Sequence, residues 1–468
     1  MKNSGTVRLL AFVATFAAVV STQECLAQAQ KQNKETILRI HGSNTIGAQL
    51  APDLAKVFLQ KLGADSVKQV DLAAGTEINI EGHFPNQELV KVIEIRAHGS
   101  STGFKGLKDK QCDIGMASRK IKDNEAQELA FLGEMTSSAS EHVLALDGVA
   151  VIVNSANAAV SKLSFAQLSD IFSGKLINWS KIGWADAPIS IQARDENSGT
   201  HDTFQSIVLG EKKMDGAAKR WDSNDNLSAA VNADTHAIGY CGLPYVKHNK
   251  ALGISDGGPA VRPTVFTVAT EDYPVSRRLY FYTPAAPENS YTQDFIAFAL
   301  SQEGQEQVRK HKFVDLTISA EEHKVDVALG TNQNYQVLYK YLTAVRGAKR
   351  LSANFRFKGE TLELDNRSLR DVERIVDFLA ENRAKEIILA GFSDRSEDIA
   401  RNIEGPTDNK YAKNFDLSCK RAEAVKEELN SRGIKIGDIL CVGSEMPVAS
   451  NSTELGREKN RRVEVWVR

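Results

Sequence analysis

From residue 36 to about residue 330, short apolar runs alternate with segments whose apolar residues recur at helical spacing. The run at 37–40 predicts a strand, and Gly42-Ser43-Asn44-Thr45 follows it as a turn. Leu50, Leu54, Val57, Phe58 and Leu62 then predict a helix. Runs at 92–95, 114–116 and 149–153 predict further buried strands, and His98-Gly99-Ser100-Ser101-Thr102-Gly103 is a second small-residue turn. This alternation implies an α/β fold, in which ligands bind where helices begin outside strand ends.

After Thr331 the pattern changes. Residues 335–345 predict a helix closing the first region, and a short basic joint at 346–350 follows. A strand at 353–357 then leads to a helix opened by Ser368, with Asp371 three positions on as in a capping box. Leu369, Val372, Ile375, Val376 and Leu379 form its apolar face. A strand at 387–389, a second amphipathic helix carrying Ala422, Val425 and Leu429, and strands at 439–442 and 463–467 complete a β-α-β-α-β-β plan. This reads as a smaller α+β domain over 351–468.

The chain of 468 residues is long enough for two or three such domains, and its 42% hydrophobic and 25% charged residues are those of a globular protein. A formal net charge of −2 argues against a general nucleic-acid binder, which needs excess cationic side chains to displace counterions. Lys2 and Arg8 precede an apolar run at 9–20, followed by small and polar residues through Ala29. That is the layout of a secretory signal over 1–29, so the mature chain is expected to be exported. No later segment reads as a membrane span. Cys112, Cys241, Cys419 and Cys441 would remain in an oxidising compartment, as buried thiols or as a pair within each half. No cysteine or histidine spacing suits a metal, and no cofactor is implied.

The candidate chemistry lies in three turns: 42–45, 99–103 and Ser198-Gly199-Thr200. Each offers hydroxyls and unhindered backbone N–H groups before an expected helix, a setting that attracts anions. Arg194 adds a fixed fork of donors suited to a tetrahedral oxyanion. Ser198, His201 and Asp202 also suggest a catalytic triad, but residues at i, i+3 and i+4 cannot easily align acid behind histidine behind serine. A binding site, not an enzyme, is expected.

These pieces, with Asp113-Ile114-Gly115-Met116-Ala117-Ser118-Arg119, Ile171-Phe172-Ser173-Gly174-Lys175, Ala237-Ile238-Gly239-Tyr240, Tyr273-Pro274 with Arg277, and Ser301-Gln302-Glu303-Gly304-Gln305, resemble the phosphate-binding proteins of ABC transporters, the PstS-type of the type II periplasmic binding proteins. The resemblance covers 34–345 and implies two lobes with the anion in the cleft between them. It implies contacts from Asn44, Thr45, Ser100, Arg194, Ser198, Gly199 and Thr200, with Glu196 holding Arg194 in place. Many family members carry an aspartate where this chain has Ser118, and Arg119 beside it is expected to enter the cleft. The ligand implied is phosphate or a related oxyanion, and an ABC permease is a conceivable partner.

Asn414-Phe415-Asp416-Leu417-Ser418-Cys419-Lys420-Arg421-Ala422 resembles the signature of OmpA-like peptidoglycan-binding domains. Gly391-Phe392-Ser393-Asp394 and Gly456-Arg457 with Asn460-Arg461-Arg462 support it. The resemblance implies that Asp394 and Arg421, helped by Asn414, clamp the diaminopimelate of a stem peptide by its ammonium and carboxylate. Residues 395–413 read as a surface insertion. The expectation is a periplasmic protein that captures an oxyanion and is tethered noncovalently to the cell wall. The alternative is a wall-associated structural protein whose first domain no longer binds solute and docks a partner.

Overall fold

The computed structural model describes residues 33–73, 76–85, 89–196, 198–322, 335–359, 361–382, 386–395 and 408–468, with the side chains of 408–413 excepted. The expected signal segment and most of the 395–413 insertion lie outside the described residues.

The first region is the expected α/β fold. Its strands are β1 (Asn33–Gly42), β2 (Ser66–Ala73), β3 (Glu77–His83), β4 (Leu89–Ala97), β5 (Ile114–Ala117), β6 (Glu141–Val153), β7 (Lys162–Ser164), β8 (Ser190–Arg194), β9 (Lys219–Trp221), β10 (Ala237–Gly242), β11 (Lys250–Ala251), β12 (Gly253–Ser255) and β13 (Ser276–Tyr282). They form one long curled sheet in the order β2-β3-β4-β1-β5-β13-β6-β10-β8-β9, with β11 on β6 and a separate β7/β12 pair. Parallel pairing of β1 with β4 and β5 brings the ends of all three strands, and the turns that follow, to one edge. β10, β8 and β9 repeat the device in the second lobe. Each lobe has its own core, one around Leu38, Ile95 and Phe298 and one around Phe172, Phe204 and Tyr240. β6 and β13 run antiparallel through both lobes. The 13 residues of β6 are all buried, which explains its nearly unbroken apolar sequence.

The second region contains β14 (Ala320–Glu322), β15 (Lys349–Arg356), β16 (Ile387–Phe392), β17 (Asp438–Gly443) and β18 (Arg462–Val467) in the order β14-β15-β18-β16-β17. Helices Asn366–Asn382 and Asp408–Asn430 pack on it through Val372, Ile375, Ala422, Val425 and Leu429. Two sequence expectations shift. The helix Tyr335–Ala344 packs on this second sheet, where Tyr341 meets Phe392 and Trp466 and donates to Glu464 at 2.8 Å. An amphipathic pattern says that a helix buries one face, not which core receives it. Helix Asn366–Asn382 is opened by Asp365, whose Oδ1 accepts from Ser368 N at 2.8 Å, so the cap lies three residues before Ser368. Ser368 Oγ instead accepts from the backbone N of Arg356.

Cys419 and Cys441 form a disulfide that ties helix Asp408–Asn430 to β17, whereas Cys112 and Cys241 are buried thiols. Pairing thus occurs in the C-terminal half alone. Burial pushes both thiols up to about 12, which keeps them protonated and inert.

The C-terminal domain seats on the segment Thr270 to Tyr273, which precedes β13. Glu271 meets Arg356 at 2.9 Å and Arg367 at 3.3 Å, Asp272 meets Arg350 at 2.9 Å, and Asp365 meets Arg278 at 2.8 Å. Asn366 donates to the Thr136 carbonyl and to Glu141, and Ser450 N donates to Asp256, so the domain touches the binding domain at both ends of this seat.

Candidate functional site

The three predicted turns converge. Ser43 N donates to Met116 O at 2.9 Å and Gly99 N to Gly42 O at 2.8 Å, which locks the first two turns to the end of β5. Gly42 adopts a φ of 135°, and a Cβ there would lie 2.1 Å from Met116 O, so only glycine fits. Ser100 Oγ accepts from Ser118 N at 3.1 Å and lies 3.4 Å from Ser118 Oγ. Ser118 therefore faces the second turn. Ser43 Oγ and Asn44 Oδ1 are buried without a hydrogen-bond partner among the described residues. Both atoms are therefore uncommitted within the first turn.

The third turn meets the first across the cleft. Ser198 caps helix Gly199–Phe204, its Oγ accepting from His201 N at 3.4 Å. A Cβ on Gly199 would stand 2.3 Å from Thr45 Oγ1, so the turns touch only because residue 199 lacks one. Gly199→Ala is expected to force them apart and to cost about 1–3 kcal/mol, read as a lowered thermal midpoint. Thr200 follows in the first turn of the same helix.

Arg277, in β13, is the cation that the sequence reading left out of the site. Its Nη2 donates to Thr45 Oγ1 at 2.9 Å and to Gly199 O at 2.7 Å, and its Nε lies 3.4 Å from Asp147. Two adjacent arginines on a half-apolar strand, SRRLYFY, were the available signal. Strand alternation sends them to opposite sides: Arg277 to the cleft, Arg278 to Glu271 and Asp365.

Arg194 ends β8 and is only 8% exposed. Its Nε donates to Trp221 O at 3.2 Å and its Nη2 to Asp222 O at 3.0 Å. Burial lowers its pKa. The expectation that Glu196 orients it is corrected: Glu196 is exposed and pairs with Arg220 at 3.2 Å. Arg220 in turn donates to the Arg194 carbonyl at 2.9 Å. β9 brings two backbone carbonyls within reach of the Arg194 side chain, so an acid is not needed there. Arg119 is likewise engaged, with both terminal nitrogens 2.7 Å from Glu125 and one 3.0 Å from Ser101. It forms a rim beside Ser118 and does not reach into the cleft unpaired.

The catalytic reading finds no geometry. His201 Nδ1 lies 2.8 Å from Tyr240 Oη, while Ser198 is spent on the helix cap. No group of metal-ligating side chains occurs among the described residues.

In the C-terminal domain Asp394, Asn414 and Arg421 are all buried, and Asp394 pairs with Arg461 at 2.6 Å. Arg421 donates to Phe392 O and lies over the Phe357 ring. Gly391 allows helix Asp408–Asn430 to approach, since a Cβ there would sit 2.0 Å from Ser418 O. The basic run at 457–462 is mostly internal: Lys459, Arg461 and Arg462 are buried, and Arg462 pairs with Glu464 at 2.8 Å.

Comparison with known proteins agrees with this architecture. A model of the PBP superfamily domain matches residues 40–303, and one of the OmpA family matches 356–461. The phosphate-binding protein PstS of Staphylococcus epidermidis is 32% identical over 216 residues, 44% of this chain and 65% of that protein. PstS of Staphylococcus aureus is 33% identical over 215 residues, 44% of this chain and 64% of its own length. The chain thus spans just under two thirds of these relatives. Among solved structures, an ABC-type phosphate transport receptor from Vibrio cholerae is 26% identical with a TM-score of 0.46, covering 59% of this chain and 99% of that one. A possible phosphate-binding protein from Planctomyces limnophilus is 28% identical with a TM-score of 0.49, covering 61% and 94%. With the first match extending over more than half of its length, the chain belongs to the PBP superfamily and carries an OmpA family domain behind it.

Proposed function

We propose that the first domain captures phosphate, or a related tetrahedral oxyanion, in the cleft between its lobes, and that the C-terminal domain holds the protein at the peptidoglycan of the cell envelope. The observation that carries the first half is the meeting of three donor-rich turns, the first and third joined by Arg277 and the second bonded to the first, with polar atoms of the first turn left unpartnered among the described residues. Preorganised donors around a cation suit an oxyanion, and Ser198 Oγ is held in a helix cap without the histidine ring on it, so the role is read as binding. Ser118 Oγ can donate or accept, so the site need not reject a fully ionised anion as an aspartate would. The relatives named as phosphate-binding proteins support the ligand. The disulfide and the envelope-type C-terminal domain support an exported, oxidising location. No helix among the described residues is long and apolar enough to cross a membrane. An ABC permease would be the receiving partner.

Titration calorimetry of the full chain with orthophosphate and with sulfate tests the first half. Heat with orthophosphate is expected, and heat with neither anion refutes it. Co-sedimentation with purified sacculi tests the second, where binding should fall in Asp394→Asn and Arg421→Ala. Equal sedimentation of both variants and the wild type would remove these residues from the tether.

A further inference from the structure

The two domains enclose a cavity of about 500 Å³. It lies on the C-terminal side of the cleft wall, with Ser118, Arg119 and Arg277 on the binding-domain side and Arg356, Leu455 and Lys459 opposite. Cavities of about 300–1,000 Å³ accept small organic ligands, so the space exceeds what one oxyanion needs. Seven basic side chains line it against four acidic ones.

Most of those cations are already committed. Arg356 and Arg278 are bound to Glu271, and Arg119 to Glu125. Lys459 is different. It is 8% exposed, and its ammonium has one contact among the described residues, a 3.4 Å approach to the Tyr273 carbonyl. An ammonium carries three donors, and leaving two of them unmade in a buried position is costly. Burial pushes Lys459 down to about 8, against the pull of Asp256, Glu271 and Asp272, so it still carries charge at neutral pH. Arg277 also borders the space, but it is committed to Thr45, Gly199 O and Asp147. Apolar walls stand beside these donors: Ile207, Phe357 and Leu455, the last 57% exposed at the rim.

We infer that this interdomain cavity is a second ligand site, which takes a small organic phosphate, its phosphoryl group held by Lys459 and its apolar body lying against Ile207, Phe357 and Leu455. The site exists only where the C-terminal domain is docked, because Lys459 and both outer apolar walls come from that domain. It does not require that orthophosphate fill the cleft.

The test is calorimetry of the full chain with phenyl phosphate and, separately, with orthophosphate. Phenyl phosphate should bind the wild type. Lys459→Met should weaken it by about tenfold or more, the loss of a charge-assisted hydrogen bond, while Lys459→Arg retains most of the affinity. Leu455→Asp, at an exposed rim position that folding does not need, should also weaken phenyl phosphate. Neither variant should alter orthophosphate binding. Absence of phenyl phosphate binding, or equal binding by wild type, Lys459→Met and Leu455→Asp, overturns the inference. Binding of phenyl phosphate without orthophosphate would refute the cleft reading and leave this one standing.

Discussion

Replacing Glu271 by alanine should destabilise the full chain by about 3–5 kcal/mol, the usual result of removing one partner from a buried charge network. Glu271 is 8% exposed and stands among Arg278, Arg356 and Arg367. Without it three buried guanidinium groups lose a shared counter-charge. Its backbone has a φ of 60°, a left-handed conformation that costs a non-glycine residue roughly 1–3 kcal/mol and persists here because three ion pairs hold it. Glu271→Gln keeps shape and some hydrogen bonds, so it should lose less. Chemical denaturation of the three proteins checks the order. The same network fixes a pH dependence. Burial by itself would raise the Glu271 carboxyl, but Arg278, Arg367 and Arg356 outweigh it and hold the group well below its usual 4.5. A depressed folded pKa gives stability that is complete above the unfolded value and lost as pH falls through the folded one. Asp272, Asp365 and Glu464 are lowered in the same way. The contribution of these four carboxylates should therefore be constant above about pH 5 and be lost as pH falls below about 4. In Glu271→Ala the acid loss should be shallower.

Arg194→Ala should weaken oxyanion binding by about 100-fold or more, since a hydrogen bond to a charged partner contributes about 1.5–3 kcal/mol and a guanidinium offers two at once. Two of its nitrogens are fixed by the Trp221 and Asp222 carbonyls, which leaves Nη1 for the ligand in a preset direction. Glu196→Ala is the informative comparison. If Glu196 oriented Arg194, its loss would cost nearly as much. Pairing with Arg220 at the surface instead predicts almost unchanged affinity. Calorimetric titration of orthophosphate into both variants separates the two cases. Large losses in both would restore Glu196 to the orienting role.

The α/β plan, most of the strand and helix succession of the smaller domain and the three turns were readable because each depends on local spacing; the short helix Glu454–Asn460 before the last strand was not. The convergence of Gly42, Ser100, Ser118 and Gly199 followed from turns placed after parallel strands. What local patterns did not carry was the choice among partners brought together by folding. Arg194 takes carbonyls from β9, a strand of three residues whose KRW sequence gives no period. Tyr341 sits in a helix whose apolar face fits either core, and Phe392, Glu464 and Trp466, far later in the chain, decide. Arg277 stood among the matching pieces but outside the expected contacts, and strand alternation in the fold sends it and Arg278 to opposite faces. The seat at Glu271 and Asp272 was silent for the same reason: an acidic pair in a loop reads as solvated, and its arginines lie in another domain.

Arg277 and Arg278 occupy consecutive positions of one strand, one bonded to Thr45 of the first turn and the other to Asp365 of the C-terminal domain. Any tilt of that strand moves both guanidinium groups, so an anion that prefers one tilt also biases how firmly the C-terminal domain stays seated. Thermodynamic reciprocity then requires the reverse with equal free energy. Under the proposed function, a pull on the C-terminal domain would be felt as a change in solute affinity, so that an anchor would serve as a strain gauge as well.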